Sequence, residues 1–265
     1  MVMMDEKFRS YTIRRLGELG SGGFGRVEKV EIINKFGESK GYCARKILLP
    51  EACRYDEVKR RFIREVISQS KCTHKNVVPV YMCNLQIDTP WFIMDLAEND
   101  LFKDIKDGTL PSSEKLRIIN MILNGVGYIH KRGYLHRDIK PQNILKIAHF
   151  DSSVMDSYKE NGDYKISDFG LVKNTNPEND STQLTRIGAG EMGTQYFSAP
   201  EAWHLGDFTV QSDIYSIGKV IQLLDVGIPG IEQIVGRCLE WDKYDRYDSV
   251  ESLKNDLINL DREGQ

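Results

Sequence analysis

Cysteine is scarce in this chain, and the five present (Cys43, Cys53, Cys72, Cys83 and Cys238) are odd in number and scattered, with no pair at metal-ligand spacing. That leaves no disulfide framework and no cysteine-built zinc site to read, and points to reduced thiols in a cytoplasmic protein. An excess of one charge is also lacking: 36 basic residues stand against 39 acidic ones, a net of −3. The balance removes any electrostatic argument for nucleic acid or an anionic membrane as the main partner. Long apolar runs are missing too. The opening MVMMDEKFRS has no apolar core of signal-peptide length, and no later run approaches a membrane span. A soluble chain is expected, although a piece of a larger membrane protein would read the same. Its 265 residues suffice for one large domain or two small lobes with ample core.

What is present centres on Tyr134 to Leu145, YLHRDIKPQNIL. A carboxylate (Asp138), a lysine (Lys140) and a carboxamide (Asn143) fall in one short segment interrupted by Pro141. Proline removes a backbone donor and biases its predecessor away from helical angles, so these groups belong on a loop between a helix ending near Arg132 and a strand starting at Ile144. Loops held between rigid elements commonly carry catalytic groups. Phosphoryl transfer from a nucleotide needs a carboxylate for the acceptor hydroxyl, oxygen ligands for magnesium and a cation on the phosphates. Any one of these residues fits an ordinary polar loop, but the ordered set does not.

HRDIKPQN, taken with DFG at Asp168 to Gly170, resembles the catalytic loop and metal-binding motif of the eukaryotic-like (Hanks-type) protein kinases, with Lys140 resembling the serine/threonine branch, and the plain sequence and short loops of the chain resemble bacterial or phage-borne members. The resemblance implies a catalytic base at Asp138, metal ligands at Asn143 and Asp168, and a contact from Lys140 to the transferred phosphate. It implies an α+β, two-lobed fold: residues 1–97 as a small nucleotide-binding lobe of antiparallel sheet with one helix, and 98–265 as a larger, mainly helical lobe.

Earlier in the chain, GSGGFGRV places Gly20, Gly22, Gly25 and Val27 at G-x-G-x-x-G-x-V spacing. Glycines let backbone amides approach phosphate oxygens. Dinucleotide folds share the pattern, but RVEKVEII after it reads as a strand where such a fold needs a helix. A hairpin turn, NKFGESK, leads to the returning strand GYCARKILL with Lys46, which resembles the family's V-A-I-K strand. An isolated strand lysine is normally a solvated group. Here Tyr55 to Lys71 reads as an amphipathic helix containing Glu65, and the resemblance implies that Lys46 grips the α and β phosphates while Glu65 orients it. The basic run Lys59, Arg60, Arg61 and Arg64 reads as that helix's solvated face. Gln69 departs from the family, which usually has an apolar residue there. Val77 to Asn84 and Trp91 to Met94 read as strands; by resemblance Ala44 and Met94 line the nucleotide pocket, with Asp95 to Ala97 as the hinge that bonds adenine.

Leu116 to His130 has the spacing of a long amphipathic helix. Ile144 to Phe150 and Asp163 to Ser167 read as paired strands around a surface insertion, DSSVMDSYKENG. Gly170 to Glu201 reads as irregular and closes with GTQYFSAPE, resembling an activation segment with Thr194 in its substrate-facing part. Thr182 and Thr185, then Ser181, are the candidate phosphorylation sites, where a phosphate could pair with Arg137 and order the segment. Gln211 to Leu224 resembles the central helix of the larger lobe, with Asp213 bracing the catalytic loop, and Arg246 matches the arginine that pairs with Glu201 of A-P-E. The stretch from Asp213 to Arg246 is shorter than the family normally has, which points to a shortened helical lobe lacking a docking helix.

The expected activity is transfer of the γ-phosphate of ATP to serine or threonine hydroxyls of protein substrates, with Mg2+ or, in its place, Mn2+. Autophosphorylation through a transient homodimer accompanies it. Gln69 and the shortened lobe suggest an alternative, a pseudokinase acting as a nucleotide-gated binding module, against which Lys46, Asp138, Asn143 and Asp168 stand intact. A kinase of small molecules would lack the segment ending in A-P-E.

Overall fold

In the computed structural model, residues 5–108, 110–148, 162–171, 173–174 and 192–263 are described. They form two compact units: one holds the described residues of Met1–Thr73 and Val78–Ala97, the other those of His74–Val77 and Glu98–Gln265.

Alternating β-branched and charged residues make the first unit a sheet. Strands β1 (Glu6–Phe8), β2 (Tyr11–Ser21), β3 (Gly25–Asn34), β4 (Ser39–Leu48), β5 (Val80–Asn84) and β6 (Trp91–Met94) pair antiparallel in the order β1-β2-β3-β4-β6-β5. In the register Val27 faces Lys46, while Ala44 faces Met94. Directly opposed residues share a face, so Val27, Ala44, Lys46 and Met94 lie on one side of the sheet. That side continues into an apolar cluster of Leu48, Phe92, Ala52, Phe62 and Val66, which seats helix α2 (Asp56–Ser70). The other face packs Ile13, Val30, Ile32, Ile47, Trp91 and Ile93. Helix α1 (Pro50–Cys53) and strand β1 add to the one-helix unit expected from the sequence.

A charged cluster interrupts the second face. Glu28, fully buried, opposes Arg45 in the β3–β4 register; Arg45 Nη2 donates to its Oε2 at 2.8 Å, and Arg45 Nη1 reaches Glu6 of β1 at 2.5 Å. Arg15 and Arg26 stand 2.8 and 2.9 Å from Glu28 Oε1.

The second unit is mainly helical. Its elements are α3 (Leu101–Lys106), α4 (Ser112–Lys131), α5 (Met192–Phe197), α6 (Pro200–Leu205), α7 (Val210–Leu224), α8 (Ile231–Cys238) and α9 (Val250–Glu263). Strands β7 (Ala97–Asp100), β9 (Ile144–Ile147) and β10 (Asp163–Ile166) form one small sheet, β8 (Tyr134–Leu135) and β11 (Lys173–Asn174) a second. Helix α5 corrects the expectation that 170–201 is irregular throughout: its last part is regular where GTQYFSAPE meets the buried helix α7 through Ser216, whose hydroxyl donates to Phe197 O at 2.7 Å. Gly218 permits α8 to approach α7, since a Cβ there would lie 2.5 Å from Cys238 Cβ. Among the described residues no helix is long and apolar enough to cross a membrane.

Candidate active site

In the second unit the site is built outward from Asp213, buried in the first turn of α7. Its Oδ2 accepts from the His136 amide at 2.8 Å and contacts His130 Nε2 at 2.8 Å, and its Oδ1 accepts from the Arg137 amide at 2.9 Å. Burial alone would raise this carboxyl's pKa. The contacts with His130, His136 and the Arg137 amide outweigh burial and hold it below the usual carboxylate range. Arg137 takes φ 70°, a left-handed conformation that a non-glycine residue keeps only where its surroundings impose it, and its guanidinium lies 3.8 Å from the centroid of the Phe208 ring.

The backbone then delivers Asp138. Its amide donates to His136 Nδ1 at 3.4 Å, and His136 Nε2 lies 3.0 Å from Ser167 O. Asp138 Oδ2 lies 3.0 Å from Lys140 Nζ and 3.0 Å from Asn143 Nδ2, and Asn143 Nδ2 also donates to Asp138 O at 2.8 Å. Pro141 opens a single 3-10 turn, Pro141–Asn143, directly before β9.

The β9–β10 register sets Ile144 against Ile166, so Asn143 and Asp168 fall at the same end of this strand pair. Ser167 locks them together: its amide and hydroxyl donate to Asn143 O at 2.9 and 3.0 Å. Asp168, at φ 61°, accepts the Gly170 amide on Oδ1 at 3.2 Å. Phe169 is buried and packs edge-on to His136, with ring centroids 5.5 Å apart.

Farther along, Arg246 Nη1 and Nη2 clamp Glu201 at 2.8 and 2.9 Å. Burial opposes ionisation of Glu201, and Arg246 overrides it, lowering the carboxyl's pKa.

The first unit holds a separate set. Lys46 Nζ donates to Glu65 Oε1 at 2.5 Å, joining β4 to α2. The glycine-rich segment is the tip of the β2–β3 hairpin, closed by Gly22 N donating to Gly25 O at 2.8 Å. A Cβ at Gly20 or Gly22 would meet nothing within 4 Å, whereas one at Gly25 would press on Ile47 O at 3.0 Å. Packing within the sheet thus favours glycine at position 25. Asp95, after Met94, accepts the hydroxyl of Tyr81, and Ala97 opens β7. Burial, helped by Asp95, raises the Cys43 thiol to about 11. Gln69 is buried and donates from Nε2 to Val78 O at 2.9 Å, tying the end of α2 to the chain entering β5.

Thr182, Thr185 and Ser181 lie outside the described residues, as do residues 151–161 of the insertion, and only the backbone of Thr194 is described, in α5. The sequence reading missed Ser167, His136 and His130 as supports, and Glu28 and Tyr81 in the first unit. The histidine of HRD was in plain view, but its two partners are distant in sequence.

Comparison with known proteins agrees with this geometry. The chain is 26% identical to the serine/threonine-protein kinase PknD of Protochlamydia amoebophila over 77% of its length, and 27% identical to PrkC of Bacillus subtilis over 88%. It spans only 26% and 40% of those two relatives. The kinase domain of PknI from Mycobacterium tuberculosis superimposes with a TM-score of 0.66 at 21% identity, covering 97% of this chain and 98% of that one, and so shares its protein kinase fold. The protein kinase domain family matches residues 13–256, and the chain belongs to that family.

Proposed function

We propose that the chain is an ATP-dependent serine/threonine protein kinase. The observation that carries this is the single hydrogen-bonded assembly of Asp138, Lys140, Asn143 and Ser167, adjoining Asp168 and anchored on Asp213. An intact assembly of this kind, in a chain resembling bacterial kinases, gives the pseudokinase alternative no support.

The family uses ATP and a divalent metal. Asn143 and Asp168 supply one neutral and one anionic oxygen donor, and among the described residues no group of three or more His, Cys, Asp or Glu could hold a metal by itself. Such a sparse donor set suits Mg2+, which keeps water and phosphate oxygens in its shell; Mn2+ would serve in its place. When bound, the metal offsets charge on the phosphate oxygens. Asp138 orients the acceptor hydroxyl and takes its proton, and Lys140 stands beside it to offset charge on the transferred group. Lys46, held by Glu65, binds the α and β phosphates, under the amides of the Gly20–Gly25 hairpin. Val27, Ala44 and Met94 offer an apolar face to adenine, with hydrogen bonds from the backbone of Asp95 to Ala97. The 1–97 and 98–265 segments divide these tasks. The partners are protein substrates and, transiently, a second copy during autophosphorylation; the balanced charge offers nucleic acid no footing. A cytoplasmic setting suits reduced thiols.

The test is mass spectrometry of the purified protein after incubation with ATP and magnesium, beside Asp138→Asn. Phosphate on Thr182, Thr185 or Ser181 in the wild type alone supports the activity and control through Arg137. No phosphate on any substrate, despite ATP binding, overturns it.

A further inference from the structure

Three large apolar side chains of the second unit stand far out in solvent: Leu205 is 79% exposed, Trp241 75% and Tyr244 82%. Single exposed apolar residues are ordinary; a rigid group of them is not. These belong to one local structure. Lys243 Nζ pairs with Asp207 Oδ2 at 2.6 Å, which fastens the 240–245 turn to the segment directly after Leu205. From beneath, Arg246 Nε donates to Glu240 O at 2.7 Å and its Nη2 to Trp241 O at 3.1 Å, while the same guanidinium grips Glu201 of α6. Asp242 Oδ1 accepts the Tyr244 amide at 3.0 Å. The backbone presenting both aromatics is therefore fixed before any partner arrives, which lowers the ordering cost of binding.

The turn that carries the two aromatics is rich in acidic residues. In EWDKYD, Glu240, Asp242 and Asp245 are exposed, and the one cation, Lys243, is committed to Asp207 and lies 5.3 Å from the Tyr244 ring centroid. An acidic turn made for solvation has no use for a protruding tryptophan and tyrosine. Preordered aromatics are the side chains on which interface energy concentrates, and a guanidinium or ammonium gains both from the carboxylates and from the aromatic faces.

We propose that Leu205, Trp241 and Tyr244, with Glu240, Asp242 and Asp245, form a docking surface for a basic amphipathic segment of a protein substrate. Lysine or arginine side chains of that segment meet the carboxylates, and an aliphatic or aromatic side chain packs on the three apolar residues. The word substrate rests on the kinase function proposed above; the binding surface does not.

The test uses fluorescence anisotropy, without nucleotide, on a labelled 16-residue peptide mixing Lys and Arg with Leu and Phe, beside a counterpart with Glu and Asp for the cations. The wild type should bind the basic peptide and not the acidic one, with Trp241 emission shifting to the blue. Trp241→Ala with Tyr244→Ala, and separately Glu240→Lys with Asp245→Lys, should each weaken binding at least tenfold with unchanged thermal melting. Fusing the basic segment to a short serine peptide should lower its KM on the wild type, and both double variants should erase that gain at unchanged kcat. Equal binding by the variants, or no preference for the basic peptide, overturns the proposal. Self-association abolished by Trp241→Ala, with no peptide bound, overturns it in favour of a second copy. Binding that follows the variants in a protein that transfers no phosphate supports the docking surface and removes the kinase reading alone.

Discussion

Asp213 holds Arg137 in a left-handed conformation by accepting its amide at 2.9 Å, 76 residues back along the chain. Asp213→Asn would place an amide donor against backbone donors. The expected outcome is a loss of about 2–4 kcal/mol in urea unfolding, since a buried charged acceptor is removed from its partners. Phosphotransfer should fall in parallel, because the strained backbone that delivers Asp138 is no longer imposed.

The pH dependence follows from two depressed carboxyls. Asp213 and Glu201 both have folded pKa values below their unfolded ones. The unfolded chain therefore binds more protons in the acid range, so their stabilisation is complete above the unfolded values, near 4, and disappears as pH falls through the folded ones. Chemical denaturation between pH 3 and 7 should show stability falling towards acid. The Asp213→Asn variant should have a visibly flatter acid limb.

Asp138→Asn keeps the shape of the loop and removes the group proposed to take the hydroxyl proton. Transfer to a peptide should drop on the order of 10²–10⁴-fold, with ATP binding by calorimetry nearly unchanged. Wild-type turnover in this variant would remove the assigned role.

Glu65→Gln weakens the partner of Lys46 without emptying its site. A charged hydrogen bond contributes about 1.5–3 kcal/mol, so kcat/KM for ATP should fall roughly 10–100-fold. Global stability should change far less.

Glu28 carries no assigned role in the chemistry, yet its carboxylate meets three arginines inside the first unit. Glu28→Ala leaves Arg45, whose side chain is 8% exposed, with Glu6 as its carboxylate partner, and the lost charged hydrogen bond should cost about 1.5–3 kcal/mol. Arg15→Ala, at a position one-third exposed, should cost about 1 kcal/mol or less in the same measurement.

Much of this architecture was legible because it is local. Lys46 sits on an alternating strand and Glu65 on a helix with an apolar face, and each pattern lies within a dozen residues. The proline and the polar spacing of Asp138 to Asn143 marked the loop equally well. What stayed hidden depends on partners far apart in sequence: strand alternation tells which way Glu28 points but not that three arginines converge on it. The three residues of β1 and the six of α3 are too short to establish a period. Gln69 read as a departure from an apolar position, and the structure gives its carboxamide a specific partner, Val78 O, which no spacing rule supplies.

The amides of His136 and Arg137 belong to a loop, but their acceptor is a carboxylate sealed inside the first turn of a buried helix. Deuterium from the solvent can reach these two positions only when α7 itself parts from the loop. In a hydrogen-exchange experiment the loop at His136 and Arg137 should therefore keep time with the centre of its unit, its labelling rate set by cooperative opening and not by the irregular backbone around it.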